Sequence, residues 1–158
     1  VKKAIEVLNP RLEEYDLKLI DSQIIFQAGR GFTRLSPLVN LPVKELHLAN
    51  SHVRSLESLR GLKHLSVLDV SNTQIYDLTP LKGLAIDNLD ISNSIVYSLD
   101  GLEEVTVKNL KMNDLRVLKL SVLNGHASLQ SLELDEHEFN TDHHLRHIKA
   151  MKEKGIIK

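Results

Sequence analysis

At 158 residues the chain is one domain's worth of sequence, long enough to bury a sizeable core. Its 42% hydrophobic and 26% charged residues are ordinary for a globular domain, and a formal net charge of −1 gives no general pull toward nucleic acid or anionic lipid. With no cysteine, a disulfide cap, a thiolate metal site and a Cys nucleophile are all excluded. No run of about 18 apolar residues exists to span a bilayer. Aromatics are scarce at 4%, with no Trp, while leucine recurs throughout. The chain opens Val-Lys-Lys, without Met or a signal-type apolar core, and so reads as a segment of a longer protein.

Residues 1–9 carry Val1, Ala4, Ile5 and Leu8 at helical spacing, and Asn9-Pro10 stops the pattern. Tyr15–Ile20 and Gln23–Ala28 are apolar runs separated by the turn signal Asp21-Ser22, which predicts a β-hairpin or two edge strands. Helix and hairpin together, residues 1–28, form the expected N-terminal cap.

From residue 24 to about 140 one pattern repeats. Leu46, Leu48, Asn50, Val53, Leu56, Leu59, Gly61 and Leu62 recur 22 positions on as Leu68, Val70, Asn72, Ile75, Leu78, Leu81, Gly83 and Leu84. Further units start at Leu89, Leu110 and Leu132, so the five starts are 22, 21, 21 and 22 residues apart. An imperfect unit precedes them, with Phe32, Leu35, Leu38 and Leu41 at the spacing of Val53, Leu56, Leu59 and Leu62. Ile24 and Phe26 alternate suitably for its inward strand face if that unit is one residue longer, the extra residue being absorbed at Gly29 or Gly31. A fixed period of about 20–29 residues with an LxLxxN core is the mark of a leucine-rich repeat. The expected fold is α/β, a right-handed solenoid with short parallel strands on its concave side.

Each position type has a mechanical reason. The LxL pair places two side chains on one face of a strand, because strand side chains alternate. Asn50, Asn72 and Asn93 are expected to donate their amides to the carbonyls of the turn that follows. Leucines three apart suit 3₁₀ or extended segments on the convex side, since about 21–22 residues leave no room for a full helix there. Pro37 and Pro80 favour the same tight path. In the last unit Phe139, Leu145 and Ile148 continue the apolar ladder. Residues 141–155 then read as a C-terminal cap helix, with Asn140, Thr141 and Asp142 as N-cap candidates and a stripe of Leu145, Ile148 and Met151. Lys152 and Lys154 complement the helix dipole, and Gly155 closes it.

The strings Arg34-Leu-Ser-Pro-Leu38, residues 77–84 (DLTPLKGL) and Ser98-Leu-Asp-Gly-Leu102 resemble the short bacterial leucine-rich repeats of consensus L-x-L-S-x-T-x-V-x-D-L-S-P-L-K-G-L. Residues 68–84 fit it nearly residue for residue. The resemblance implies an interaction module. It also implies a link to bacterial serine/threonine protein kinases, where such arrays commonly follow an Asn-Pro string like Leu8-Asn9-Pro10 and end in a helix like Leu145–Lys149. The compartment it implies is the cytoplasm or an exposed portion of a larger bacterial protein. Unit four departs from the pattern, lacking P-L-x-G-L and carrying Asp114 where Asn is expected. The chain itself contains no glycine-rich loop, HRD or DFG string of a kinase.

The outward strand positions flank the LxL pairs: Glu45, His47 and Ala49; Val67, Asp69 and Ser71; Asn88, Asp90 and Ser92; Asn109, Lys111 and Asn113; Ser131, Glu133 and Asp135. Five acids against one Lys give this face a net charge of −4. It is a candidate groove for a basic peptide or protein surface, and equally a solvated strand face in which Lys111 relieves repulsion between acids. No Trp, Tyr or Arg of the kind that dominates interfaces sits on it. His143 and His147 are four apart and share a helix face. A third metal ligand would have to be Asp142, His137 or Glu138, and a polar helix surface explains them as well. Glu13/Glu14 and Glu103/Glu104 have no placed base beside them, and no G-x-S-x-G string is present. Basic residues lack the aromatic interleaving of a nucleic-acid surface. The expected function is therefore a non-catalytic protein-interaction module without cofactor or metal. The alternative is a structural spacer or oligomerisation element.

Overall fold

The computed structural model describes residues 1–139 and 141–157, so Asn140 among the N-cap candidates lies outside the described residues. The chain is an α/β structure with helices α1 (Lys2–Leu8) and α2 (Asp142–Glu153) at its two ends. Between them run strands β1 (Tyr15–Ile20), β2 (Gln23–Ala28), β3 (Val43–His47), β4 (Val67–Asp69), β5 (Ala85–Asp90), β6 (Thr106–Lys111) and β7 (Ser131–Glu133). These make one open seven-stranded sheet in sequence order, antiparallel between β1 and β2 and parallel from β2 to β7. No helix among the described residues is long and apolar enough to cross a membrane.

The hairpin follows from its turn residues. Asp21 and Ser22 both take positive φ, 49° and 62°, as the tight two-residue connection between right-twisted strands requires. The parallel strands pair at the period of the sequence: Leu46 lies beside Leu68, Leu68 beside Leu89, Leu89 beside Leu110, and Leu110 beside Leu132. All five are buried, and each stabilises the stack by roughly 1.5–3 kcal/mol relative to exposure. Opposite each strand the chain makes a 3₁₀ turn, at Ser36–Leu38, Glu57–Leu59, Thr79–Leu81, Leu102–Glu104 and Ser121–Leu123. Pro37 and Pro80 fall in the first positions of their turns, where a missing N–H costs nothing.

Buried aromatic rings are confined to the ends of this aliphatic ladder. Phe26 and Phe32 pack 5.2 Å apart, with Tyr15 beyond them at 6.0 Å from Phe26. Phe139 is buried at the opposite end. The reason is geometric: a ladder of one residue per unit accepts side chains of one size, and only the end units have room for rings.

Four expectations are corrected. First, the imperfect unit is shorter, not longer. Phe26 pairs with Leu46, and only six positions separate Phe26 from Phe32 where seven separate Leu46 from Val53. Ala28 takes the second inward strand position, so no extra residue remains for Gly29 or Gly31 to absorb; a separate register shift between Ile24 and Ile25 leaves Lys44 of β3 unpaired. Second, Asn50, Asn72 and Asn93 are exposed and do not donate to turn carbonyls. They are required for their backbone, with φ of 62°, 55° and 51°, a region that Asn and Asp tolerate best among residues with a side chain. Asp114 occupies the same region at φ 54°, so unit four keeps its bend. The turn carbonyls are satisfied by the hydroxyls one residue on: Thr73 donates to the Val70 carbonyl at 2.6 Å and Ser94 to that of Ile91 at 2.7 Å. Third, α1 buries only Ile5 fully, while Val1 and Ala4 are exposed. Fourth, Leu145 is 46% exposed. Thr141 caps α2 by accepting from the His144 N–H, and the helix then presents His144, Ile148 and Met151 inward at i, i+4 and i+7. Leu145 lies a third of a turn away.

The C-terminal closure also differs in detail. The Leu132 N–H on the open edge of β7 donates at 2.9 Å to the carbonyl of Ile156, so the segment after α2 covers that edge.

Candidate functional site

The outward sheet face brings ten of the fifteen positions expected from strand alternation into two registered rows, while Ala49, Ser71, Ser92, Asn113 and Asp135 lie just beyond the strand ends. In register across the sheet, Gln27 pairs with His47, His47 with Asp69, Asp69 with Asp90, Asp90 with Lys111 and Lys111 with Glu133. A second row runs Glu45, Val67, Asn88, Asn109, Ser131. A shallow depression of about 200 Å³ lies over Val67, with the side chains of Leu68 and Leu89 beneath it buried in the core, and is rimmed by His47, Asp69, Asn88, Asp90, Asn109 and Lys111.

The acids on this face are held in place. Asp69 accepts from the Ser71 N–H at 3.0 Å and from its hydroxyl at 2.7 Å, and Asp90 accepts from the Ser92 N–H at 2.9 Å. Each keeps its second carboxylate oxygen free of these bonds. Lys111 reaches Glu133 at 3.0 Å, and the Asn113 amide donates to the other oxygen of Glu133 at 2.7 Å. Glu133 hydrogen-bonds and attracts the Lys111 ammonium, raising its pKa, with Asp90 and Asp69 adding to the effect. Lys111 and Asn113 hold the Glu133 carboxyl below its usual range. Asn109 donates to Asn88 at 2.9 Å, and His47 lies 3.4 Å from Glu45. Asp135 and Glu133 are exposed at the β7 end. The lysine is thus paired with Glu133, and among the described residues neither Asp69 nor Asp90 has a cationic side chain within ion-pair distance.

The remaining candidates are dispersed. Glu103 accepts from the Gly101 N–H at 2.6 Å and Glu104 pairs with Lys82 at 2.7 Å, both in structural contacts. Glu13 and Glu14 lie before β1, beside Tyr15, Asp16 and Arg30. His143 and His147 rings stand 4.7 Å apart, and among the described residues they gain no third ligand in metal-binding geometry. His144 points elsewhere, edge-on to Phe139 at 5.3 Å and 3.1 Å from the Leu118 carbonyl.

One surface was not anticipated from sequence. Tyr76, Tyr97 and Leu118 occupy the same place in successive units, 54%, 56% and 69% exposed, and the Leu118 N–H donates to the Tyr97 carbonyl at 3.0 Å. Exposed Ile95 lies beside this row in sequence. A signal existed: apolar residues recur there at intervals of 21 just beyond the inward Ile75, Val96 and Val117.

No protein-family model matches the chain, and no curated protein is found similar to it.

Proposed function

We propose that the chain is a leucine-rich repeat solenoid serving as a non-catalytic docking module, with its outward sheet face binding a basic segment of a protein partner. One observation carries this reading. Asp69 and Asp90 stand side by side on adjacent strands, braced by Ser71 and Ser92. Paired acids held next to a shallow depression attract an extended chain bearing Lys or Arg, with electrostatic steering adding to its association rate. The L-[ST]-P-L strings support the family assignment, and with it a place in a larger bacterial, kinase-linked protein. The row of Tyr76 and Tyr97 supplies the kind of aromatic anchor that the sheet face lacks.

Selection of a displayed random-peptide library on the purified chain tests the proposal. Selected peptides should be enriched in Lys and Arg, and Asp69→Lys with Asp90→Lys should abolish their binding while the protein stays folded, its thermal midpoint lowered only by the lost bonds to Ser71 and Ser92. Binders of neutral or acidic composition, or binding that survives the double reversal, would refute it. The runner-up, a spacer with an unliganded face, predicts no selected peptide dependent on either aspartate.

A further inference from the structure

The two edges of the sheet are treated differently. At β7 the chain returns to bond the edge through Ile156, whereas β1 is paired on one side only. A two-residue turn makes its flanking pair, Ile20 and Gln23, a hydrogen-bonded one, so alternation commits Asp16, Lys18 and Ile20 to β2. The N–H and C=O groups of Tyr15, Leu17 and Leu19 then point away from the sheet, and among the described residues no other backbone segment bonds to them.

An open edge invites strand addition unless its side chains oppose it. This one carries no proline, and no bulge interrupts its six pairs with β2. Its charges are opposite in sign and two residues apart: Asp16 and Lys18 sit on the outward face on either side of Leu17, at present joined to each other at 2.7 Å. Leu19 and Ile20 are 68% and 50% exposed beside them.

We infer that a second copy of this chain adds antiparallel to β1 about a two-fold axis at Leu17. In that register Leu17 faces its own copy, and Tyr15 faces Leu19 of the other copy, in hydrogen-bonded pairs. Asp16 faces Lys18 at both closely spaced non-hydrogen-bonded pairs, so each intrachain ion pair is exchanged for an intermolecular one. The self-complementary order of charges singles out a copy of this chain in preference to an unrelated strand, because an isologous contact matches each residue with its symmetry partner. Asp16 lies beside Gln27, the end of the row through Asp69, so the two outward faces join into one. A six-residue edge is a small interface, which makes the dimer concentration-dependent. The inference goes beyond the proposed peptide site and stands without it.

Sedimentation velocity on the whole chain over a wide concentration range tests it. The wild type should shift from monomer to dimer with rising concentration. Asp16→Lys alone or Lys18→Asp alone sets like charges opposite at both pairs and should abolish the dimer. The double exchange Asp16→Lys with Lys18→Asp restores opposite charges and should restore it, which also shows that neither exchange unfolds the edge. Asp69→Lys with Asp90→Lys should leave the dimer unchanged, separating this surface from the peptide site. A monomer at every concentration, or a dimer that survives both single exchanges, would overturn the inference.

Discussion

The side-chain oxygen of Asn9 accepts the backbone N–H of Thr33 at 2.8 Å, across 24 residues of sequence. The same oxygen accepts the Arg34 N–H at 2.8 Å, while the amide donates to the carbonyls of Ile5 and Arg34. Asn9 is 1% exposed. It therefore satisfies both the end of α1 and the first bend after β2, clamping the N-terminal helix onto the sheet.

Replacing Asn9 with Ala leaves the Thr33 and Arg34 N–H groups and the Arg34 carbonyl without this partner, while the Ile5 carbonyl keeps the Asn9 backbone N–H. The expected loss is about 2–4 kcal/mol of unfolding free energy, measured by urea titration. Asn9→Asp keeps the accepting oxygens and should recover part of it. Equal losses for the two variants would show that the acceptor bonds to Thr33 and Arg34 contribute little.

Gly31 and Gly61 provide a matched pair. Both hold positive φ, 81° and 85°, and each loses about 1 kcal/mol on substitution by Ala from backbone strain. A Cβ on Gly61 meets open space, whereas one on Gly31 would lie 1.7 Å from the Arg11 carbonyl oxygen. Gly31→Ala should therefore lower the thermal midpoint well beyond Gly61→Ala.

Lys111 is the sole Lys or Arg among the fifteen outward positions. Lys111→Gln should cost less than about 1 kcal/mol of stability, because its pair with Glu133 is solvent-exposed. It should also strengthen binding of a Lys-rich selected peptide, the gain shrinking as salt is raised. Glu133's depressed carboxyl contributes stability present above its unfolded value and lost as pH falls through the folded one, so this variant should flatten the acid limb of the stability curve.

His147 titrates in the opposite direction from a paired histidine. Burial first, and then His143, His144 and Arg146, push its pKa below the ordinary value. The unfolded chain binds the proton more readily, so stability should fall as pH drops below about 6.5. His147→Gln should shrink this slope in urea titrations between neutral and mildly acidic pH. An unchanged slope would assign it to other groups.

The repeat period is a local property of the chain, which is why the strand starts at Leu46, Leu68, Leu89, Leu110 and Leu132, the 3₁₀ side and the outward row of Asp69, Asp90, Lys111 and Glu133 could be read without coordinates. Alternation along a strand decides which side chains face out, and a constant period decides which of them become neighbours. The ends of the array are not periodic; there the sequence predicts the helices and the hairpin, but not the register and contacts they make. The short first unit, the inward turn of His144 in place of Leu145, and the clamp at Asn9 depend on which surfaces meet once the chain has closed. An asparagine before a proline signals a helix stop, but only the approach of Thr33 and Arg34 makes Asn9 a buried hub. A hairpin or edge strand at Tyr15–Ile20 is predicted, but which of the two strands keeps an open side is not, since that is decided only by what else in the fold pairs with it.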